Sequence, residues 1–220
     1  MNFAEELARV LPPEVPHRDD LIQKSARHLE LIAAANEYMN LTRISNPRDA
    51  AIKHVLDCVL PWRHFQHTRK VLDAGTGAGF PGIPLSIVLP EVRFMLAEST
   101  QKKARFVDSV IEELGLSNVE VTAERGEAVT RLRSYDVITA RAVAPLDRLL
   151  HSFATAVERG ARLLLYKGPD AAAELAGVNT KRASAEIVER YELPEGCGVR
   201  TLVHVSRRER RSKQAEASRQ

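Results

Sequence analysis

The sequence predicts an α/β fold with a mostly parallel, doubly wound sheet, an α-helical N-terminal segment and a C-terminal antiparallel hairpin. From residue 70 onward, short β-prone apolar runs alternate with helical stretches, which is typical of parallel βαβ units. The runs are continuously apolar, as expected for strands that helices cover on both faces. Five of them are recognisable, at residues 70–75, 92–98, 119–124, 135–141 and 161–168.

The N-terminal segment lacks strand-like runs. Its apolar residues recur at helical spacing, as in Leu21, Ile22, Ala26, Leu29, Ile32 and Ala33. A later helix is predicted to begin at Asn46, whose side chain can cap it, with Pro47 at the first helical position and Asp49 in the first turn. This helix would carry Lys53, His54 and Asp57.

The C-terminal part predicts the hairpin. Residues 186–193 and 199–205 alternate polar and apolar side chains, and the turn-rich segment 194–198 links them. With 220 residues and 44% hydrophobic content, the chain can bury one sizeable core. We therefore expect a helical extension over 1–60 packed on the core, an α/β domain over 61–206, and a flexible basic tail over 207–220.

Charge and cysteine content exclude several classes of protein. The formal net charge of +3 is uneven: six basic and two acidic residues give the tail +4, which leaves about −1 for the body. A basic binding surface on the body of the protein would therefore have to be a local patch of Lys and Arg side chains. Cys58 and Cys197 form no CxxC pair, so neither a disulfide framework nor a metal site is predicted. The acidic start and the lack of a long apolar run predict a cytoplasmic protein without a membrane segment.

The sharpest local signal is the glycine loop Asp73–Gly82, DAGTGAGFPG, which follows the first strand and opens the next helix. Ligands bind at this position in open α/β sheets. A dinucleotide fingerprint needs its third glycine at position 80, but that residue is Phe80, which disfavours NAD and FAD. The observed pattern, Asp73 followed by Gly75, Gly77 and Gly79, resembles the first motif of S-adenosylmethionine methyltransferases. A tight turn without a ligand is the alternative.

Two later sites fit the same cofactor. Glu98 ends the second strand about 20 residues beyond the glycines, where a carboxylate can accept both ribose hydroxyls; its alternative is an exposed carboxylate that caps a helix. Gly126 and Glu127 follow the third strand, where the adenine edge would lie in such a fold. Their alternative is an ordinary turn.

Longer motifs resemble one family, the GidB ribosomal RNA small subunit methyltransferases. The extension Gly79–Pro84, GFPGIP, is the most specific of them. The resemblance covers the chain from Asn40 to about Gly168 and rests on NLT at 40–42, KHVLD at 53–57, DAGTGAGFPGIPLSIVLP at 73–90, RF at 105–106, TARA at 139–142 and YKG at 166–168.

This resemblance implies an enzyme that methylates N7 of a guanine in 16S ribosomal RNA. It implies a Rossmann-like methyltransferase fold, S-adenosylmethionine as the cofactor, and 16S RNA or the small ribosomal subunit as the partner of a monomeric enzyme. Carried over by position, the cofactor contacts fall on Gly75, Phe80, Gly126, Glu127 and Arg141, with the ribose carboxylate at Glu98. Many members have Asp at that last position, and Glu keeps the acceptor oxygens while reaching further.

Guanine N7 carries a free lone pair, so methyl transfer to it requires no general base. Catalysis is expected to come from alignment and the exclusion of water. Arg141 and Lys167 end the fourth and fifth strands, where a cation can hold a phosphate or guanine O6. His54 and Lys53 are candidates for an RNA-facing surface, and Arg141, Lys167 and His54 are the candidate catalytic residues. For all four, a solvated or packed side chain is the alternative, and Arg43, Arg48, Lys102, Lys103 and Arg105 are either phosphate contacts or ordinary surface residues.

Three other functions stay open at this point. A methyltransferase acting on a small molecule or a protein would keep the glycine loop and Glu98 but would not bind RNA in a salt-dependent way. A nicotinamide-dependent oxidoreductase would need the glycine spacing that is absent here. A non-enzymatic RNA-binding module would bind RNA without methyl transfer.

Overall fold

The computed structural model describes residues 2–44, 46–178 and 183–208. The seven strands are β1 (Lys70–Ala74), β2 (Arg93–Ala97), β3 (Val119–Thr122), β4 (Val137–Arg141), β5 (Arg162–Lys167), β6 (Ala183–Leu193) and β7 (Gly198–Arg207). They form one sheet in the order β3-β2-β1-β4-β5-β7-β6.

Helices precede the sheet and cover both of its faces. They are α1 (Phe3–Val10), α2 (Arg18–Met39), α3 (Pro47–Ala50), a π-helical turn (Ala51–Leu56), α4 (Asp57–Val59), α5 (Gly82–Val88), α6 (Gln101–Glu113), α7 (Gly126–Leu132), α8 (Leu146–Glu158) and α9 (Ala171–Ala176). Short 3₁₀ turns occupy Trp62–Phe65 and Pro194–Gly196.

The strand pairing confirms the predicted fold class. Strands β1 to β5 are parallel, and β7 pairs antiparallel with both β5 and β6, with an irregularity between Ile187 and Glu189. The five predicted runs became β1 to β5, and the predicted hairpin became β6 and β7. Because β1 pairs with β2 on one side and β4 on the other, the strand order reverses there, which opens a crevice at the carboxyl ends of these strands.

The predicted helix start at Asn46 is also confirmed. The Asn46 side chain accepts hydrogen bonds from the backbone N–H groups of Arg48 and Asp49, and Pro47 occupies the first helical position. The backbone then runs through the π-helical turn into α4 without leaving a helical conformation. Lys53, His54 and Asp57 therefore lie on one continuous helical segment that faces the sheet.

Two clusters of buried side chains hold the helices on the sheet. One joins the N-terminal helices to α5, α6 and one face of the sheet, and includes Leu29, Val55, Phe65 and Leu85. The other joins α7 and α8 to the opposite face, and includes Phe153. Continuously apolar strands are buried on both faces, as the sequence indicated.

The division of the chain at residues 60 and 206 stays a prediction. The first cluster contains residues from both sides of position 60. Most of the predicted flexible tail, from residue 209 onward, lies outside the described residues. Within the described ranges, no helix is both long enough and apolar enough to cross a membrane.

Candidate active site

The glycine loop lies at the crevice where the strand order reverses. The N–H groups of Gly75 and Thr76 both donate to the carbonyl of Ala97, at 2.8 and 3.1 Å, which joins the end of β1 to the end of β2. Gly75 has a φ of +78°, and a Cβ there would lie 2.8 Å from Cγ2 of Val143. Only glycine satisfies both the left-handed backbone and the close approach. The sharp turn leaves space above the strand ends.

Asp73 places a buried carboxylate beneath this loop. Its Oδ2 accepts hydrogen bonds from Oγ1 of Thr76, at 2.6 Å, and from the N–H of Gly82, at 2.8 Å. Its Oδ1 is buried and has no hydrogen-bond partner within the described part of the chain. Burial raises the pKa of Asp73 to about 6. An unsatisfied buried acceptor is costly, so a donor from a ligand would be favoured here.

Glu98 links the glycine loop to the start of α6. One carboxylate oxygen, Oε2, accepts from the N–H of Gly77 at 3.1 Å, and the other, Oε1, accepts from the N–H of Thr100 at 2.7 Å. The second bond joins residues two positions apart, and it is the kind of local contact expected if Glu98 caps a helix. Glu98 is only 8% exposed. Each carboxylate oxygen has capacity for a further hydrogen bond, so these contacts leave room for a ligand hydroxyl.

A cavity of about 260 Å³ opens at the carboxyl ends of β1, β2 and β4. Its wall contains three of the predicted cofactor residues, namely Gly75, Gly126 and Glu127, together with Val143 and Phe153. A Cβ at Gly126 would lie 2.7 Å from the Cβ of Ala74, so a side chain there would push α7 away from β1. The position needs glycine for close packing.

A larger cavity, of about 670 Å³, lies at the opposite end of the sheet. Lys70 and Arg93, which begin β1 and β2, are among its lining residues. Ligands of open α/β sheets bind at the carboxyl ends of the strands. The smaller cavity is therefore the better candidate for the active site.

Phe80 is packed between two histidine rings. Its ring centroid lies 4.8 Å from that of His28 and 4.7 Å from that of His54. Burial lowers the pKa of His28 to about 4 and that of His54 to about 3, and the nearby Arg141 charge adds to the second shift. Both imidazoles are therefore neutral near pH 7. Phe80 is itself buried, so this stack forms a wall behind the glycine loop.

The structure packs His54 more deeply than an RNA-facing surface would require. Its Nε2 hydrogen-bonds Oγ1 of Thr42 at 2.9 Å. His54 is thus a packed side chain, which was the alternative to a place on the RNA-facing surface. Its catalytic role stays a prediction. Sequence reasoning missed His28, whose Nε2 hydrogen-bonds the carbonyl of Ala78 at 2.7 Å, because a lone histidine inside a helical pattern gives no signal.

Arg141 ends β4 and turns toward the N-terminal helical segment. Its Nη1 donates to Oδ2 of Asp57 at 3.0 Å and to the carbonyl of Lys53 at 2.7 Å. Nε of Arg200 also lies 3.3 Å from the same Asp57 oxygen, and the hydroxyl of Tyr191 lies 3.2 Å from the other. Two arginines thus share one buried carboxylate, which leaves one net positive charge on this group.

Lys167 lies on the same edge of the sheet but in a different contact. Its Nζ is 2.7 Å from Oε2 of Glu174 and 3.0 Å from the carbonyl of Ala144. The lysine side chain is only 9% exposed. Its charge is therefore neutralised by Glu174 of α9, and the catalytic role of Lys167 stays a prediction.

The five basic residues considered as phosphate contacts differ in their surroundings. Arg48 pairs with Glu195, at 2.7 Å, and with Glu6, at 3.1 Å. Arg43, Lys102 and Arg105 are exposed, and Lys103 is partly buried. A guanidinium held by two carboxylates is a weaker candidate for phosphate binding than an exposed cation. The ion pairs of Arg48 therefore favour a structural role for it.

Comparison with known proteins places the chain among ribosomal RNA methyltransferases. Residues 21–202 match the GidB family model, described as rRNA small subunit methyltransferase G. The ribosomal RNA small subunit methyltransferase G of Solibacter usitatus is 56% identical over 209 residues, which cover 93% of this chain and 100% of that protein. The protein of the same name from Carboxydothermus hydrogenoformans is 38% identical over 192 residues, covering 83% and 81%.

Solved structures share the fold at low sequence identity. Cofactor-bound Rv0187 from MTB has a TM-score of 0.58 and 18% identity, with 91% of this chain and 100% of that chain covered. A mutant of MtNAS in complex with S-adenosylmethionine has a TM-score of 0.51 and 20% identity, with 93% and 71% covered. The shared architecture is the fold of S-adenosylmethionine-dependent methyltransferases.

Proposed function

Because the chain belongs to the GidB family of ribosomal RNA small subunit methyltransferases, we propose that it transfers a methyl group from S-adenosylmethionine to N7 of a guanine in 16S ribosomal RNA. The observation that carries the proposal is the geometry of the crevice. A glycine loop, an unsatisfied buried carboxylate oxygen and a cavity lie together at the carboxyl ends of β1 and β2. The two parts of the proposal, cofactor and substrate, rest on different residues.

The residues of the glycine loop, the end of β2 and the cavity wall together fit S-adenosylmethionine. Oδ1 of Asp73 is a buried acceptor that the ammonium group of the cofactor can satisfy. Glu98 would accept from the ribose hydroxyls, while Gly126 and Glu127 would border the adenine. Gly75 and Gly77 would let the backbone approach the cofactor closely, and Gly79 makes room for the side chains of Ile83 and His28 beneath the loop. When bound, the cofactor supplies a methyl group that its positive sulfur activates toward nucleophiles.

The chain's own residues have to align the guanine and keep water out. N7 attacks with its lone pair, so no proton has to be removed first. This agrees with two neutral, buried histidines, which are poor proton donors and acceptors near pH 7. The net charge of the Arg141, Asp57 and Arg200 group is positive, which favours a phosphate or guanine O6 nearby. Arg141 also lies against Phe80, with 5.4 Å between its Cζ and the ring centroid.

The reaction is tested directly with labelled cofactor. The purified protein is incubated with methyl-labelled S-adenosylmethionine and with small-subunit RNA or particles from cells that lack this gene. We expect the label in 7-methylguanosine of the small-subunit RNA. Label in another nucleoside would contradict the N7 assignment, and no transfer despite measured cofactor binding would contradict the proposed RNA substrates.

A separate experiment tests the proposed contact between Asp73 and the ammonium group of the cofactor. Asp73→Asn keeps the size of the side chain but removes the negative charge, so it should weaken S-adenosylmethionine binding in a calorimetric titration. Asp108→Asn, on an exposed position of α6, should bind the cofactor as the unaltered protein does. Equal binding by both variants would contradict the placement of the ammonium group at Asp73.

The proposed substrate also bears on location and assembly. An enzyme that modifies ribosomal RNA works where ribosomes are assembled, and we infer that this protein acts in the cytoplasm. We further infer that it acts as a monomer. Light scattering on the purified protein, with and without RNA, measures the mass of the particle, and a stable dimer would contradict the second inference.

A further inference from the structure

Tyr38 is an aromatic side chain that the fold leaves exposed. It lies in the last turn of α2 and is 67% exposed. Among the described residues, four large hydrophobic side chains are exposed, and Tyr38 is the one with an aromatic ring. Isolated exposed apolar residues are common, so exposure alone carries no function. Its neighbours and its position distinguish it from the other three.

The position of Tyr38 is fixed by the packing of α2 against α6. Arg27 of α2 bonds Glu113 near the end of α6, and the carbonyl of Tyr38 accepts from Nζ of Lys102 near its start, at 3.1 Å. Each pair of contacts spans the same distance along its helix, from 27 to 38 and from 102 to 113. The two helices therefore run antiparallel in matched register, and Tyr38 faces the beginning of α6.

The beginning of α6 lies beside the glycine loop. Gly77 donates to Glu98, and Glu98 accepts from Thr100, which is the cap residue of α6. Lys102 follows two residues later and contacts Tyr38. A short chain of contacts thus leads from the proposed cofactor crevice to the exposed ring. Tyr38 lies on the same edge of the sheet as the candidate active site.

Two lysines lie at the N-terminus of α6, where positive side chains are unfavourable. Lys102 and Lys103 occupy the first turn of α6, which contains no acidic residue of its own, and the nearby Glu98 carboxylate offsets only part of their charge. Cations at a helix N-terminus oppose the helix dipole and cost stability, so these lysines are not there to stabilise α6. The Lys102 ammonium also lies 5.3 Å from the centre of the Tyr38 ring. An anionic partner would offset both the lysine charges and the dipole.

Hydrogen bonds from Asn36 fix the loop that follows α2. Oδ1 of Asn36 accepts from the N–H groups of Leu41 and Thr42, and its Nδ2 donates to the carbonyl of Thr42. This loop carries the exposed Arg43. The ring of Tyr38 is thus presented at a helix end that hydrogen bonds hold in place, beside the ammonium group of Lys102.

We propose that Tyr38 and Lys102 form a stacking surface for an unpaired base of the RNA substrate, next to the guanine that enters the crevice. The inference rests on the proposed function and names the part of the protein that holds the strand. Exposed aromatic rings bind bases of any sequence by stacking, and adjacent cations hold the phosphates. An aromatic ring with a lysine ammonium group beside it fits a single-stranded polyanion better than it fits an uncharged or a basic partner.

The test compares ring and non-ring variants on the RNA that the unaltered protein methylates. Tyr38→Ala should weaken RNA binding and raise the KM for RNA by about 5- to 150-fold, which is the range for loss of one stacked base. Tyr38→Phe keeps the ring and should behave as the unaltered protein does. Leu132→Ala removes another exposed apolar side chain, 81% exposed on α7, and is the matched control. Binding of S-adenosylmethionine should be unchanged in all three.

Lys102→Gln tests the charge independently. For a single strand, removing one phosphate contact should reduce the slope of log K against log salt by about 0.7. If the unaltered protein methylates no RNA, the proposed function fails. If it does, but Tyr38→Ala binds and methylates RNA as the unaltered protein does, only the stacking surface is wrong. A Tyr38→Phe variant as weak as Tyr38→Ala would also overturn stacking by the ring.

Discussion

Arg141 and Asp57 pair their charges inside the protein, with 3.0 Å between Nη1 of the arginine and Oδ2 of the aspartate. The pair joins the end of β4 to the helical segment before the sheet. Asp57 is 2% exposed, and Arg200 of β7 contacts the same carboxylate oxygen at 3.3 Å. One carboxylate therefore fixes two arginines from distant parts of the sequence at the edge of the crevice.

Replacing Asp57 should destabilise the protein strongly. Asp57→Asn keeps the shape of the side chain but leaves two arginine charges without a counter-charge in a buried site. Breaking a buried ion pair in this way costs about 3–5 kcal/mol. The free energy of unfolding, measured by urea denaturation, should fall by that amount. Asp49→Asn, which removes the partly exposed partner of Lys53, should cost less than about 1 kcal/mol. Equal losses in the two variants would contradict the importance of the buried pair.

A methyl group at Gly126 should disturb the cofactor cavity. In Gly126→Ala, the added carbon would lie 2.7 Å from the Cβ of Ala74 and 3.3 Å from Cζ of Phe153, so α7 has to move away from β1. Overpacking of this kind costs about 1–3 kcal/mol. We expect a lower melting temperature and weaker S-adenosylmethionine binding by calorimetry. Gly177→Ala, where the nearest atom would be at 3.6 Å, should leave cofactor binding unchanged.

The strands and the terminal hairpin were predictable because the sequence has strong local signals for each of them. Continuously apolar runs identified β1 to β5, and the turn-rich segment 194–198 identified the hairpin of β6 and β7. The capping pattern at Asn46 also predicted the start of a helix. The π-helical turn at Ala51–Leu56 has no comparable local signal, and its Ile52 and Val55 are buried in the core.

The sequence predicted only those parts of the candidate site that lie on a single loop at the end of a strand. The glycine loop and Glu98 follow strand ends, and their position follows from the fold. The contacts of Asp57 with Tyr191 and Arg200 join residues 134 and 143 positions apart, and no local pattern encodes such pairs. For the same reason, the sequence could place Lys167 at a strand end but could not reveal its ion pair with Glu174.

Cofactor affinity should decrease in mild acid because of Asp73. Burial raises the pKa of this carboxyl to about 6, so it becomes protonated as the pH falls below that value. A neutral carboxyl group cannot pair with the cofactor's ammonium group. The affinity for S-adenosylmethionine should therefore fall by about tenfold per pH unit below pH 6. Calorimetric titrations between pH 5 and pH 7 measure this, since the ammonium group itself titrates at higher pH.

The control for this effect is Asp73→Asn, which cannot titrate. It should bind weakly and show little dependence on pH over the same range. A pH dependence that persists in Asp73→Asn would assign the effect to another group. An affinity that is constant between pH 5 and pH 7 in the unaltered protein would contradict the contact with the ammonium group.

Acid should also unfold the protein through His28. Its pKa is lowered from 6.5 to about 4 by complete burial, so between these values the unfolded chain binds more protons than the folded protein. The stability from the neutral imidazole is thus present above pH 6.5 and is lost as the pH falls toward 4, by about 2 kcal/mol between pH 7 and pH 5. His54 acts in the same direction. Asp73 acts in the opposite direction between 3.8 and about 6, because its folded pKa is raised.

The contribution of His28 can be separated with His28→Gln, which is neutral at every pH and can still donate to the carbonyl of Ala78. The variant should be less stable at pH 7 because the stack on Phe80 is altered. Its free energy of unfolding should nevertheless decrease less steeply between pH 7 and pH 5 than that of the unaltered protein. Urea denaturation at several pH values gives both slopes, and parallel slopes would show that His28 does not titrate on unfolding. His17→Gln, on an exposed loop before α2, is the matched control and should keep the full slope.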